Sequence, residues 1–171
     1  GDHSALRMIS PGLTDTHVTL LRGDSVSTAG PITLSMTALG MVKAGGEVRR
    51  SGAQIGDVAM VSGTIGDGAI GLLAAQGLLS ELTPGERDFL AGRYRLPTPR
   101  LDLRTSLRAG ATAAADVSDG LIADAGHIAE ASGRGLRIDL EAVPLSAPAR
   151  RWLGAQPDRG ADLVRLVTDG D

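Results

Sequence analysis

From Ile32 to Ala38 apolar and polar residues alternate without a break, Ile32, Leu34, Met36 and Ala38 on one face and Thr33, Ser35 and Thr37 on the other. A period of two predicts a half-buried strand. The β-branched run Thr16 to Leu21 predicts a second strand, and the turn-rich RGDSVSTAG between them favours pairing of the two. Beyond Lys43–Gly46 the pattern changes. DVAMVSG reads as a short apolar strand, and GDGAIGLLAAQGLL as a helix with Ile70, Leu73 and Ala74 inward. Pro84 and Gly85 open a charged helix, Pro97 and Pro99 interrupt the chain, and Leu101 to Leu107 resume a helical pattern. Leu121, Ile122, Ala125, Ile128 and Ala129 form the stripe of an amphipathic helix, ended by Gly133–Gly135, and LRIDL is the next expected strand. Strands alternating with helices predict an α/β (α+β) fold: part of a β-rich domain over 1–48, then part of an α/β domain over 49–171. The turn-like ending VTDGD reads as a truncation.

Composition narrows the function. With 42% hydrophobic and 22% charged residues the 171-residue chain has a globular make-up. A net charge of −3 and only three aromatic residues argue against nucleic acid as the main partner. Absent cysteines remove thiolate zinc sites, disulfides and cysteine nucleophiles. No apolar run reaches membrane-spanning length and no signal peptide opens the chain, so a soluble cytoplasmic protein is expected.

Three aspartates and a histidine crowd ADVSDGLIADAGHIAEASG, residues 115–133. A helix cap explains one or two of these acids. Asp116 and Asp119, three apart across a strand-to-helix turn, can instead converge on one point, where they repel unless a cation such as magnesium lies between them. Backbone amides at the helix start offer a phosphate contact at the same place. Asp124 and His127 share the polar helix face and read as solvated or locally paired. Asp24 is another acid, in a Gly/Ser/Thr loop where an ordinary Asx-turn is the plain alternative; Asp2 and His3 near the first residue carry little weight. GDGAIG matches G-x-G-x-x-G, with Glu86 near the place of a ribose-binding acid, but close helix packing explains those glycines equally well. A Walker loop is excluded, because the single lysine, Lys43, lacks its glycine spacing.

LLRGDSVSTAGPITLSMTALG, RRSGAQIGDVAMVSGTIGDGAIGLL, RYRLPTPRLDLR and DVSDGLIADAGHIAEASG occur in one order. In that order and wording the chain resembles the thiamine-monophosphate kinases, within the ATP-binding superfamily of aminoimidazole ribonucleotide synthetase. The resemblance implies transfer of the ATP γ-phosphate onto thiamine monophosphate, several magnesium ions held by aspartates, and homodimers paired through the N-terminal domains. By motif it implies Asp24, Asp116 and Asp119 as magnesium ligands, with Gly23, Asp24, Arg50 and Ser118 at the nucleotide. The departures are equally specific. GDHSA carries His3 where the family's G-D-D-x-A has a second acid, only about ten residues separate it from the strand before Asp24, and the family's continuation beyond the final G-acid is absent. Two alternatives stand beside the kinase: a non-catalytic, nucleotide-binding relative, and a dinucleotide-binding oxidoreductase built on GDGAIG.

Overall fold

A computed structural model describes Thr19, Ser27 and residues 29–170. The chain divides into two units, Gly1–Lys43 and Ala44–Asp171. In the first, the alternating segment 31–40 forms no strand and is exposed, with Ile32 and Met36 at 94% and 73% exposure. The Thr16–Leu21 strand expected to pair with it lies, apart from Thr19, outside the described residues.

The second unit is helical. In chain order come α1 (Asp67–Ala75), α2 (Pro84–Arg95), α3 (Arg104–Gly110), α4 (Leu121–Ser132), α5 (Ala147–Gly154) and α6 (Arg159–Thr168). Short 3-10 turns span Leu101–Leu103 and Leu140–Ala142. Local chemistry sets the boundaries. Thr83 caps α2 in a reciprocal capping box with Glu86, Pro84 occupies its first turn, and Arg93 and Arg95 sit in its last. Ser146 caps α5 by accepting from the Ala149 amide at 3.1 Å, and Asp158 caps α6 by accepting from the Ala161 amide at 3.0 Å. Gly133, left-handed at φ 61°, ends α4 as its sequence predicts.

Ile70 of α1 and Leu90 of α2 join Leu145, Ala149, Trp152, Leu153, Leu163 and Leu166 in the main core. Each of the buried leucines and Ile70 contributes about 1.5–3 kcal/mol through its removal from water. A second cluster of Ile65, Leu121 and Val167 ties the start of α4 to the end of α6. Helices α5 and α6, which the chain's hydrophobic patterning did not lead us to expect, therefore supply about half of the core.

The expected strands differ from what forms. No β-ladder is present among the described residues, and neither 57–63 nor 136–140, where strands are expected from the patterning, forms one. Alternation records which faces an extended segment offers. A strand exists only where a neighbour completes its backbone hydrogen bonds, and no described residue does so for Val58–Val61 or Leu136–Ile138. Both runs line one open groove of about 800 Å3, with Leu121, Ala125 and Val143. Among the described residues no helix is long and apolar enough to cross a membrane.

Candidate metal and nucleotide site

The D-V-S-D-G loop precedes α4 and places Asp116, Ser118 and Asp119 at the surface. Its backbone is held from two directions. Asp124, in the first turn of α4 and only 2% exposed, accepts from the amides of Ser118 at 2.8 Å and Asp119 at 3.0 Å through one carboxylate oxygen, Oδ2. On the other side the loop meets the end of α6. A Cβ on Gly120 would lie 2.7 Å from the Thr168 carbonyl carbon and 3.0 Å from the Asp169 carbonyl oxygen, while one on Gly170 would lie 2.6 Å from the Ser118 carbonyl oxygen. Glycine is required at Gly120 for a second reason, its φ of 112° and ψ of 148°.

The R-R-S-G-A segment reaches the same place. The Ala114 amide donates to the Arg49 carbonyl at 2.9 Å, and the Gly52 glycine allows close approach to the Thr112 carbonyl. Ser132, the last residue of α4, accepts through Oγ from the Gly52 and Ala53 amides, each at 3.1 Å. Asp57 adds a third tie, accepting from the Thr112 hydroxyl at 2.6 Å and the Gln54 amide at 2.8 Å. Those bonds, the hydroxyl's first, hold the Asp57 carboxyl below the ordinary aspartate range. So held, Arg50 brings Nη2 to 3.9 Å from Asp116 Oδ1, with both side chains more than half exposed.

Arg50, Asp116, Ser118 and Asp119 thus belong to one surface neighbourhood around the start of α4. Gly23 and Asp24 lie outside the described residues, as do Asp2 and His3. His127 is exposed, in keeping with a solvated helix face. Asp124 is not solvated: it is the local pairing partner of the loop. The phosphate-binding role expected of the backbone amides is corrected in part, because the Ser118 and Asp119 amides are already spent on Asp124. The first turn of α4 itself carries no side-chain cap. Sequence reasoning also missed Ser132, whose place just before the helix-ending Gly133 was the available signal.

GDGAIG has a different role. Gly66, Asp67, Gly68, Ile70 and Gly71 are all buried. A Cβ on Gly71 would lie 2.7 Å from Tyr94 Cβ and closer still to the Leu90 carbonyl oxygen, so this glycine allows α1 and α2 to touch. Asp67 accepts from the hydroxyls of Thr64 and Ser146, each at 2.5 Å, and lies 3.6 Å from Arg93 Nε. Glu86, the suggested ribose acid, is occupied by its capping box and by Arg151 at 3.2 Å. Gly66 against Leu166 and Gly71 against α2 serve packing, and the motif's burial speaks against the oxidoreductase reading.

Residues 54–170 match the family of the AIR synthase related protein, C-terminal domain. The chain belongs to that family. The thiamine-monophosphate kinase of Caulobacter vibrioides is 49% identical over 154 residues, covering 90% of this chain and 43% of the relative. The crystal structure of thiamine-monophosphate kinase from Stenotrophomonas maltophilia K279a superposes with a TM-score of 0.65 at 42% identity, over 76% of this chain and 41% of that one. AaThiL complexed with AMPPCP and TMP gives a TM-score of 0.64 at 34% identity, over 72% of this chain and 39% of that one. This AIR synthase related chain therefore spans less than half the length of the relatives it matches. The family match contains the whole D-V-S-D-G loop, α4 and α6, and begins four residues after Arg50.

Proposed function

We propose that the chain is the nucleotide- and magnesium-binding portion of a thiamine-monophosphate kinase. The observation that carries this reading is the meeting of Arg50 with Asp116 beside Ser118 and Asp119, on a chain whose relatives carry that activity. In the proposed reaction a terminal oxygen of the thiamine monophosphate phosphate attacks the γ-phosphorus of ATP. The bond from that phosphorus to the β,γ-bridging oxygen breaks, ADP leaves, and the new P–O bond completes thiamine diphosphate. Such a transfer needs positioning and charge neutralisation more than a covalent catalyst.

The donor set fits magnesium. Asp116 and Asp119 offer hard carboxylate oxygens to solvent, and no described residue bonds to the Asp119 side chain. Among the described residues no three Asp, Glu, His or Cys side chains gather closely enough to hold a cation unaided. Magnesium, which keeps several waters and takes phosphate oxygens along with one or two carboxylates, fits the pair Asp116 and Asp119. Asp116 and Asp119 would hold it, and bound there it would neutralise charge on the transferring phosphate; Asp24 we assign as a magnesium ligand from its motif alone. Arg50 orients a nucleotide phosphate, and the Ser118 hydroxyl is available as a donor where its amide is not. Gly23 we place beside the nucleotide.

We further assign 1–48 to part of an N-terminal ATP-binding domain and 49–171 to part of an α/β domain. A homodimer in the cytoplasm completes the reading. The decisive experiment supplies thiamine monophosphate and ATP to the 171-residue chain and measures thiamine diphosphate with and without magnesium. Magnesium-dependent product supports the kinase. Magnesium-dependent binding of AMPPCP without product supports the non-catalytic, nucleotide-binding relative. Loss of both refutes the site.

A further inference from the structure

The mechanism above uses the exposed carboxylates and leaves one buried acid unexplained. Asp124 is 2% exposed, its carboxylate faces no arginine or lysine among the described ion pairs, and its Oδ2 serves two amides of the loop that carries the proposed ligands. We propose that Asp124 is a positioning residue: by fixing the Ser118 and Asp119 amides to one oxygen it holds the D-V-S-D-G loop in the geometry that binds the cation. The inference rests on the magnesium reading of that loop and adds a residue to it.

The physical case has three parts. Two N–H groups on adjacent residues that share one acceptor have their peptide planes fixed together, which fixes the backbone from which the Asp119 side chain projects. Asp124 is itself anchored, its own amide donating to the Gly120 carbonyl at 3.0 Å within the first turn of α4. The far side of the loop is closed by α6 through Gly120 and Gly170, so the loop is held between a carboxylate and a helix end. A surface helix face needs no buried carboxylate. Loss of a partner that orients a metal ligand typically costs about 10- to 100-fold in metal affinity.

The test uses the isotopically labelled 171-residue chain and manganese(II) as the probe, read by broadening of the loop resonances, with amide hydrogen exchange as a second readout. In the wild type, manganese should broaden the signals of residues 116–120, and the Ser118 and Asp119 amides should exchange slowly. Asp124→Ala should accelerate exchange at those two amides by about tenfold or more and weaken the cation affinity about 10- to 100-fold. Exchange at Leu90 and Val167 in the core should not change. Asp124→Asn, which keeps a carbonyl acceptor, should recover affinity to within about threefold. If Asp124→Ala fails to fold, Asp124→Glu replaces it: the carboxylate remains but is one methylene too long, and the same weakening is expected. Faster exchange with unaltered cation affinity would reduce Asp124 to a structural residue and overturn the proposal. No broadening of the loop in the wild type would overturn the magnesium reading, and this inference with it.

Discussion

Gly120→Ala tests the contact between the site loop and the end of α6. Two costs add. At φ 112° and ψ 148° the backbone occupies a region essentially reserved for glycine, worth about 1–3 kcal/mol for any other residue. The new methyl would also lie 2.7 Å from the Thr168 carbonyl carbon and 3.0 Å from the Asp169 carbonyl oxygen. Both are backbone atoms, so relief requires moving the loop or α6, and such overpacking costs about 1–3 kcal/mol more. A total of about 2–6 kcal/mol is a large share of the roughly 5–15 kcal/mol by which domains are stable. Urea unfolding followed through Trp152, the single tryptophan and 5% exposed in the core, reads it directly. With a slope near 2 kcal/mol per M, the midpoint should fall by about 1–3 M. Gly126→Ala is the control. It lies within α4 with nothing inside 4 Å of its would-be Cβ, so it should gain about 0.5–1 kcal/mol. If the two variants unfold at the same urea concentration, the loop is not held by α6 and the reasoning is wrong.

Asp67→Ala should destabilise the chain by about 2–4 kcal/mol in the same assay, since it leaves the Thr64 and Ser146 hydroxyls without their shared acceptor and Arg93 without its carboxylate. Asp67→Asn, keeping one acceptor, should cost less, and equal costs would show that packing, not hydrogen bonding, is what the site needs. The hydroxyl and amide of Thr83 hold the Glu86 carboxyl below the ordinary glutamate range. A depressed folded pKa stabilises above the unfolded value and is lost as pH falls through the folded one. The stability difference between wild type and Glu86→Gln should therefore be largest near about pH 7 and shrink towards about pH 3; a pH-independent difference contradicts the capping box.

The helices were legible where periodicity and caps agreed. Thr83-Pro84 with Glu86 announces α2, and the stripe from Leu121 to Ala129 closed by Gly133 announces α4. Helices α5 and α6 went unread although Ser146-Ala147-Pro148 and Asp158 are caps of the same kind, because each is short and its apolar residues make sense only as partners of Leu90 and Ile70. The runs 57–61 and 136–139 show the opposite limit. Their patterning states a preference for extension, but a ladder depends on a neighbour that pattern does not name. The approach of Arg50 to Asp116 was legible because two motifs carried these residues. Asp124 was not, since a carboxylate in a first helical turn ordinarily faces water, and its burial follows from the fold of a loop six residues earlier.

Arg50 and Asp116 carry opposite charges, and that opposition separates their roles. At 3.9 Å, with both side chains largely exposed, the pair is worth at most about 1 kcal/mol. A cation that took Asp116 in the proposed site would therefore break the pair at little cost and would leave the guanidinium free for a nucleotide phosphate. The two residues should then respond with different signs. Arg50→Ala removes a competing positive charge, so manganese binding in the absence of nucleotide should stay level or tighten by up to about fivefold. The same variant should weaken AMPPCP binding in the presence of magnesium by about 10- to 100-fold, the usual worth of a charged hydrogen bond to an anion. Asp116→Asn should weaken both. Isothermal titration of each variant with manganese alone, then with AMPPCP and magnesium, compares the two signs. If Arg50→Ala loses cation affinity as Asp116→Asn does, the arginine acts by holding the aspartate in place, and its assignment to the nucleotide phosphate falls.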